Sequence, residues 1–262
     1  VCEDRINAFL IDNATIQDFA FIDQVFQHLK IEYIADDEDI ENIPSKGRVI
    51  IVANHPLGGL DGLALLRLVS NVRRDVRIVV NDLLLHISQL NNLSLPVDVI
   101  GGKTKKADIY RVRRALYNDE AVIMFPAGEV SRAELKGICD RHWLPGFIQL
   151  AKATRSTVLP IHIKARNSAL FYVISRISKP LSMLMLPREM IGFKGKILFT
   201  IGQTIAPGVI DGLPVSRKKQ AELVSLHLRR IGSGKTPIFA TQSQLIEKCD
   251  PRAIQAELYQ AE

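Results

Sequence analysis

Short apolar runs recur along the chain with helically spaced patterns between them: Val49–Ala53, Val76–Val80, Ala121–Phe125, Thr157–Ile163 and Ile197–Ile201. Their length is that of strands. Apolar residues at helical spacing mark helices near Leu63–Val69, Ala107–Tyr117 and Gly146–Thr154. That alternation predicts an α/β sheet covered by helices. Upstream, Phe19, Ile22, Phe26 and Leu29 make Ile16–Leu29 an amphipathic helix, followed by the acidic stretch Asp36–Glu41. Downstream, Pro207-Gly208 closes the last strand, and Lys218–Ile231 and Gln244–Tyr259 read as helices. The expected division is an N-terminal helical cap (1–45), a core (46–210) and a C-terminal helical extension (211–262), together one structural domain. There is no internal repeat and no low-complexity tract.

Composition narrows the setting. With 262 residues and 47% hydrophobic content the chain can bury a sizeable core. Cys2, Cys139 and Cys249 are scattered without metal-ligand spacing, which points to a reducing compartment. His28, His86, His142 and His162 show no paired ligand spacing either, so no metal site is expected. Val1–Asn7 carries acidic residues where an export signal has basic ones, and a segment upstream of Val1 stays open. No uncharged stretch reaches the roughly 18 residues of a spanning helix, so membrane contact is expected to be peripheral.

The net charge of +6 is gathered into Arg67, Arg73, Arg74 and Arg77, then Lys103, Lys105, Lys106, Arg111, Arg113 and Arg114, then Arg217, Lys218, Lys219, Arg229 and Arg230. Aromatics are only 6% and no binding module is present, so nucleic acid is not the expected partner. An anionic lipid surface, a phosphate-bearing substrate or an acidic carrier protein fits better, against the plain reading of solvated helix faces. Residues 167–190 are apolar and rich in methionine and aromatic side chains but too interrupted to span a bilayer. They read either as a segment lying in a lipid interface, the reading placed first, or as a buried helix pair.

The candidate chemistry begins where Val49–Ala53 delivers Asn54-His55-Pro56-Leu57-Gly58-Gly59-Leu60-Asp61. An imidazole needs a partner to fix its tautomer before it can take a hydroxyl proton, and Asp61 can supply one; the competing reading makes Asp61 a helix cap. A second strand ends in Phe125-Pro126-Ala127-Gly128-Glu129-Val130-Ser131-Arg132. Functional residues gather at the carboxyl ends of strands in α/β folds, which sends Glu129 and Arg132 toward the crevice of His55; the alternative is a surface ion pair after a turn. No Gly-x-Ser-x-Gly elbow is present, and Gly102-Lys103-Thr104 and Gly234-Lys235-Thr236 lack the earlier glycine of a phosphate loop.

Asn54-His55 with Asp61, then Phe125–Glu129 with Ser131-Arg132, then Val158-Leu159-Pro160-Ile161, in this order, resemble the glycerolipid and lysophospholipid acyltransferase superfamily. The Asn-His-Pro-x-Gly-Gly-x-Asp-Gly form is similar to its hemolysin-like branch. The likeness covers about residues 45–210. It implies a central mixed sheet flanked by helices and transfer of an acyl group from coenzyme A or acyl carrier protein, as co-substrate rather than cofactor, to a lysolipid hydroxyl. By that resemblance His55 is the general base, Asp61 orients it, and Asn54, Gly58, Gly59, Phe125, Pro126, Gly128, Glu129, Ser131 and Arg132 belong to the substrate site. A peripheral place on the cytoplasmic face of a membrane follows. The rival reading is a catalytically silent lipid-binding protein on the same fold.

The sequence departs from the family pattern in three places. Pro56–Leu60 put five residues between His55 and Asp61 where four are usual. Glu129 follows Gly128, whereas the usual block is Phe-Pro-Glu-Gly-Thr-Arg. After Asp98 stands Val99 where an arginine is normal, leaving Lys103 or Lys105 as substitutes; a lysine binds phosphate as a point charge without the bidentate fork.

Overall fold

The run Val49–Ala53 forms a strand, β2, in which every residue is buried, as expected of a parallel strand covered on both faces. The computed structural model describes residues 2–80, 87–97, 105–134 and 137–239. Before β2 come α1 (Cys2–Asp12), α2 (Asp18–Leu29), β1 (Glu32–Ile34) and α3 (Asp37–Ile40). After it come α4 (Gly59–Ser70), β3 (Val76–Val80), β4 (Ser94–Pro96), α5 (Lys106–Tyr117), β5 (Ala121–Met124), β6 (Arg132–Glu134) and β7 (Gly137–Cys139). The chain continues through α6 (Gly146–Thr154), β8 (Thr157–Lys164), α7 (Ala169–Ile177), α8 (Lys179–Gly192), β9 (Lys196–Ile201), α9 (Pro207–Asp211) and α10 (Arg217–Gly232).

A seven-stranded sheet runs in the order β1-β9-β8-β2-β5-β3-β4. It is mixed: β8 and β9 pair antiparallel, and every other neighbouring pair is parallel. The α/β architecture with a mixed central sheet is therefore as the sequence implied. Alternation along β2 builds a core on each face. Val49, Ile51 and Ala53 pack with α2 and α4, while Ile50 and Val52 pack with Val112, Leu116, Phe147, Val224 and Leu228 from α5, α6 and α10. β6 and β7 pair separately as a small antiparallel ribbon.

Several elements differ from the sequence reading. The segment 1–45 is not purely helical, because Glu32–Ile34 adds an edge strand beside β9. The acidic stretch yields the short helix α3, and α4 opens at Gly59 rather than near Leu63. Gln244–Tyr259 lies outside the described residues.

The first basic cluster is largely internal. Arg73 is buried, gripping both oxygens of Asp75 and donating to the carbonyls of Pro44, Gly47 and Asp119. Arg67 pairs with Asp23, Arg77 with Glu120, and Arg74 covers the Phe19 ring. These side chains fasten the sheet to its flanking elements, so this cluster offers little to an anionic partner. Among the described residues no helix is long and apolar enough to cross a membrane.

Candidate active site

Between β2 and α4 the chain must reverse within Asn54–Gly58. It does so through Gly58 at φ 88° and ψ −134°, a conformation closed to side-chain-bearing residues. The turn makes Gly58 the N-cap and places Asp61 in the first turn of α4. Asp61 is wholly buried, and its Oδ2 accepts the backbone N–H groups of Leu57 (2.7 Å) and Gly58 (3.0 Å) while lying 3.0 Å from Nδ1 of His55. The cap and the imidazole partner are thus one carboxylate oxygen, and the two readings of Asp61 coincide.

Burial pushes the Asp61 carboxyl up from its ordinary value, opposed by His55 and the two backbone donors. Its Oδ1 is buried with no hydrogen-bond partner among the described residues. A carboxylate so exposed to desolvation draws its stabilisation from Oδ2, which favours a proton on Nδ1 of His55 and leaves Nε2 as the lone-pair side. The imidazole stacks on Phe125 with ring centroids 4.0 Å apart and an interplanar angle of 20°, and its side chain keeps 18% exposure. It is oriented on two sides and still reachable.

The neighbouring loops lock the backbone. The Asn54 amide donates to the Ile163 carbonyl (2.8 Å) and accepts the Ile163 N–H (2.7 Å), continuing the β2–β8 ladder past the strand end. That gives Asn54 a structural job. The carbonyl of His55 accepts the N–H of Ser131, and its own N–H reaches Asp140 Oδ1 at 3.2 Å. Asp140 also takes the Ser131 hydroxyl and, on Oδ2, the indole N–H of Trp143. Sequence reasoning missed Asp140, which stands 85 residues from His55 in no motif.

The second block lies beside the first. Gly128 turns at φ 68°, its N–H on the carbonyl of Phe125, and the Pro126 carbonyl accepts the N–H of Leu144. Glu129 meets Arg132 at 3.3 Å, Arg141 at 3.2 Å and Lys179 at 2.7 Å. Burial alone would raise its carboxyl; Lys179, Arg132 and Arg141 together hold it below the usual value. Arg132 also donates to the Ser175 carbonyl and the Ser182 hydroxyl, so it ties α7 and α8 to the crevice. Gly59 opens α4, where an added Cβ would meet open space. Lys105 is exposed at the start of α5, and Lys103 lies outside the described residues.

A roof completes the site. Leu186 of α8 and Val130 approach the Gly58 backbone, and Phe171 and Tyr172 of α7 pack against Val130 beneath Met185 and Leu186. Asn167 donates to the Pro56 carbonyl. The outer side of the pair leaves Leu170, Val173, Ile177, Leu181 and Leu184 exposed. Residues 167–190 thus form a helix pair with an inner face buried on the crevice, as the buried-pair reading expected, and an outer face left apolar.

Comparison with known proteins gives the following likenesses. A family model described as acyltransferase matches residues 1–223. The chain is 33% identical over 213 residues to a lyso-glycine lipid O-acyltransferase of Phocaeicola vulgatus, covering 78% of this chain and 75% of that protein. It is likewise 33% identical over 197 residues to the protein of the same name from Bacteroides thetaiotaomicron, covering 72% and 71%. The crystal structure of the 1-acyl-sn-glycerophosphate acyltransferase PlsC from Thermotoga maritima superposes with a TM-score of 0.50 at 17% identity, over 89% of this chain and 90% of that one. That last likeness is one of fold.

Proposed function

Because this chain belongs to the acyltransferase family and is an O-acyltransferase, we propose that it moves a fatty acyl group from a thioester donor to a hydroxyl of a lysolipid. The observation that carries this reading is the 3.0 Å contact of His55 Nδ1 with the buried Asp61 carboxylate. With Nδ1 engaged, Nε2 takes the hydroxyl proton as the acceptor oxygen attacks the thioester carbonyl. The C–S bond then breaks, and the imidazolium returns the proton to the departing thiolate. Asp61 stabilises the imidazolium in between. Phe125 holds the ring in plane, and the Asn54 and Asp140 contacts hold the backbone that carries it.

The relatives' names, which specify a lyso-glycine lipid, support that class as the acceptor. An apolar outer face on α7–α8, bordered by Arg176, Lys179 and Arg188, suits a helix pair resting on an anionic lipid surface while its inner face closes the crevice. Purified protein given an acyl thioester and a lyso-glycine lipid should release thiol and form the diacylated product; His55→Ala should abolish both. Undiminished turnover in that variant refutes the mechanism, and lipid binding without turnover on any lysolipid refutes the enzymatic reading.

A further inference from the structure

Behind the His55 loop lies a pocket of about 180 Å³ lined by residues on either side of the histidine, Asn54 and Pro56, together with Ser131, Asp140 and Trp143. Its volume is that of about six waters at ~30 Å³ each, and it falls below the ~300 Å³ at which whole ligands are usually housed, so it accepts a group rather than a molecule. Lys164 at the end of β8, Arg166 just beyond it and Arg229 of α10 stand on its wall. All three are exposed, and among the described residues none has a carboxylate within ion-pair distance. This sets them apart from Arg67, Arg73, Arg77, Arg132 and Lys179, each consumed by an internal acid.

The acid that does line the pocket, Asp140, is turned toward neutral donors: the His55 N–H, the Ser131 hydroxyl and the Trp143 indole. It anchors the catalytic loop, and its one negative charge against three cations leaves the lining net positive. Three cations lining a small cleft focus a positive potential there and, two of them being guanidinium forks, suit the paired non-bridging oxygens of a phosphate. Resting on the acyl-transfer reading above, we infer that this pocket receives the phosphate carried by the pantetheine arm of the acyl-thioester donor. That phosphate is common to coenzyme A and to an acyl carrier protein. The donor then enters from the cationic side of the loop and the lipid acceptor from beneath the apolar roof.

Trp143 is the chain's single tryptophan and lies on the pocket wall, so its fluorescence reads occupancy directly. Coenzyme A without an acyl group should change that emission saturably, as should phosphopantetheinyl carrier protein, whereas pantetheine without phosphate should not. In Lys164→Gln/Arg166→Gln/Arg229→Gln the apparent Kd for coenzyme A should rise at least tenfold with melting unchanged. Should the triple variant fail to fold, Arg229→Gln alone is expected to show a smaller rise in Kd, checked by calorimetry. His55→Ala should bind as the natural chain does, which separates loss of this site from loss of the catalytic reading. Equal binding by the triple variant overturns the inference. So does the absence of a saturable signal with both phosphorylated probes, or a variant-sensitive signal from the lysolipid acceptor alone.

Discussion

Asp140 holds His55 by its backbone, the carboxylate Oδ1 lying 3.2 Å from the histidine N–H while taking the Ser131 hydroxyl on the same oxygen. The loop bearing the imidazole and the loop following β5 are therefore fixed to a single anchor. Asp140→Ala leaves two donors and an indole N–H without their acceptor, which costs on the order of 1–3 kcal/mol of stability. Because the imidazole then loses its fixed seat, kcat should fall by about tenfold or more with little change in KM. Steady-state kinetics beside thermal melting checks this. A fall in stability with kcat intact would reduce Asp140 to scaffolding.

Asp61→Asn should separate the cap from the catalytic partner. Its amide oxygen can still accept from Leu57 and Gly58, so the turn survives, but the charge beside Nδ1 is gone. A loss of about 10³-fold in kcat is expected with a modest change in melting temperature. Asp61→Ala removes the cap as well and should cost about 1–2 kcal/mol more in stability. Comparing the two by denaturation and by turnover resolves both roles.

Five strands of the sheet were legible because each is a short, predominantly apolar run, and His55 with Asp61 because one short loop joins them. Other parts were hidden for physical reasons. Glu32–Ile34 is a half-exposed edge strand of three residues, too short for any period to show. Asp140 acts through backbone groups, which no side-chain pattern records. Arg73 reads in sequence like its solvated neighbour Arg74, and only folding reveals that its fork meets Asp75 and three carbonyls.

Stability should fall in mild acid through His227. It is buried, its Nδ1 accepts the N–H groups of Ile238 and Phe239, and burial with the nearby Arg230 lowers its pKa from 6.5 to about 4. The unfolded chain therefore binds a proton at a higher pH than the folded one. Above 6.5 neither state is protonated there and nothing is lost. Between 6.5 and about 4 the penalty grows to roughly 3 kcal/mol, and below that it is constant. His227→Asn should flatten the fall in melting temperature across this window.

Ile177 and Leu184, at 80% and 78% exposure, test the roof's outer face. Changing both to Asp removes two apolar side chains from a lipid contact, each worth about 1.5–3 kcal/mol if buried. Co-sedimentation with anionic vesicles should drop at least tenfold, while melting and turnover of a detergent-dispersed acceptor stay near normal. Unaltered vesicle binding would place the lipid contact elsewhere.

Gly58 should tolerate no side chain. At φ 88° an alanine is strained by about 1–3 kcal/mol whatever the space around it, and its methyl would lie in van der Waals contact with Leu186 and Val130 at 3.4 Å. Gly58→Ala should lower both melting temperature and kcat, whereas Gly59→Ala, whose Cβ would meet open space, should do neither.

Glu129 gathers Arg132, Arg141 and Lys179, and Arg141 and Lys179 are largely in solvent at 68% and 52% exposure. Such a knot is screened by electrolyte, since the Debye length shrinks to about 3 Å at 1 M ionic strength, whereas the Asp61–His55 contact, with its carboxylate wholly buried, is screened much less. Brine therefore divides the molecule: it slackens the fastening of the helical roof and spares the dyad beneath, making ionic strength a handle on access to the crevice rather than on its chemistry.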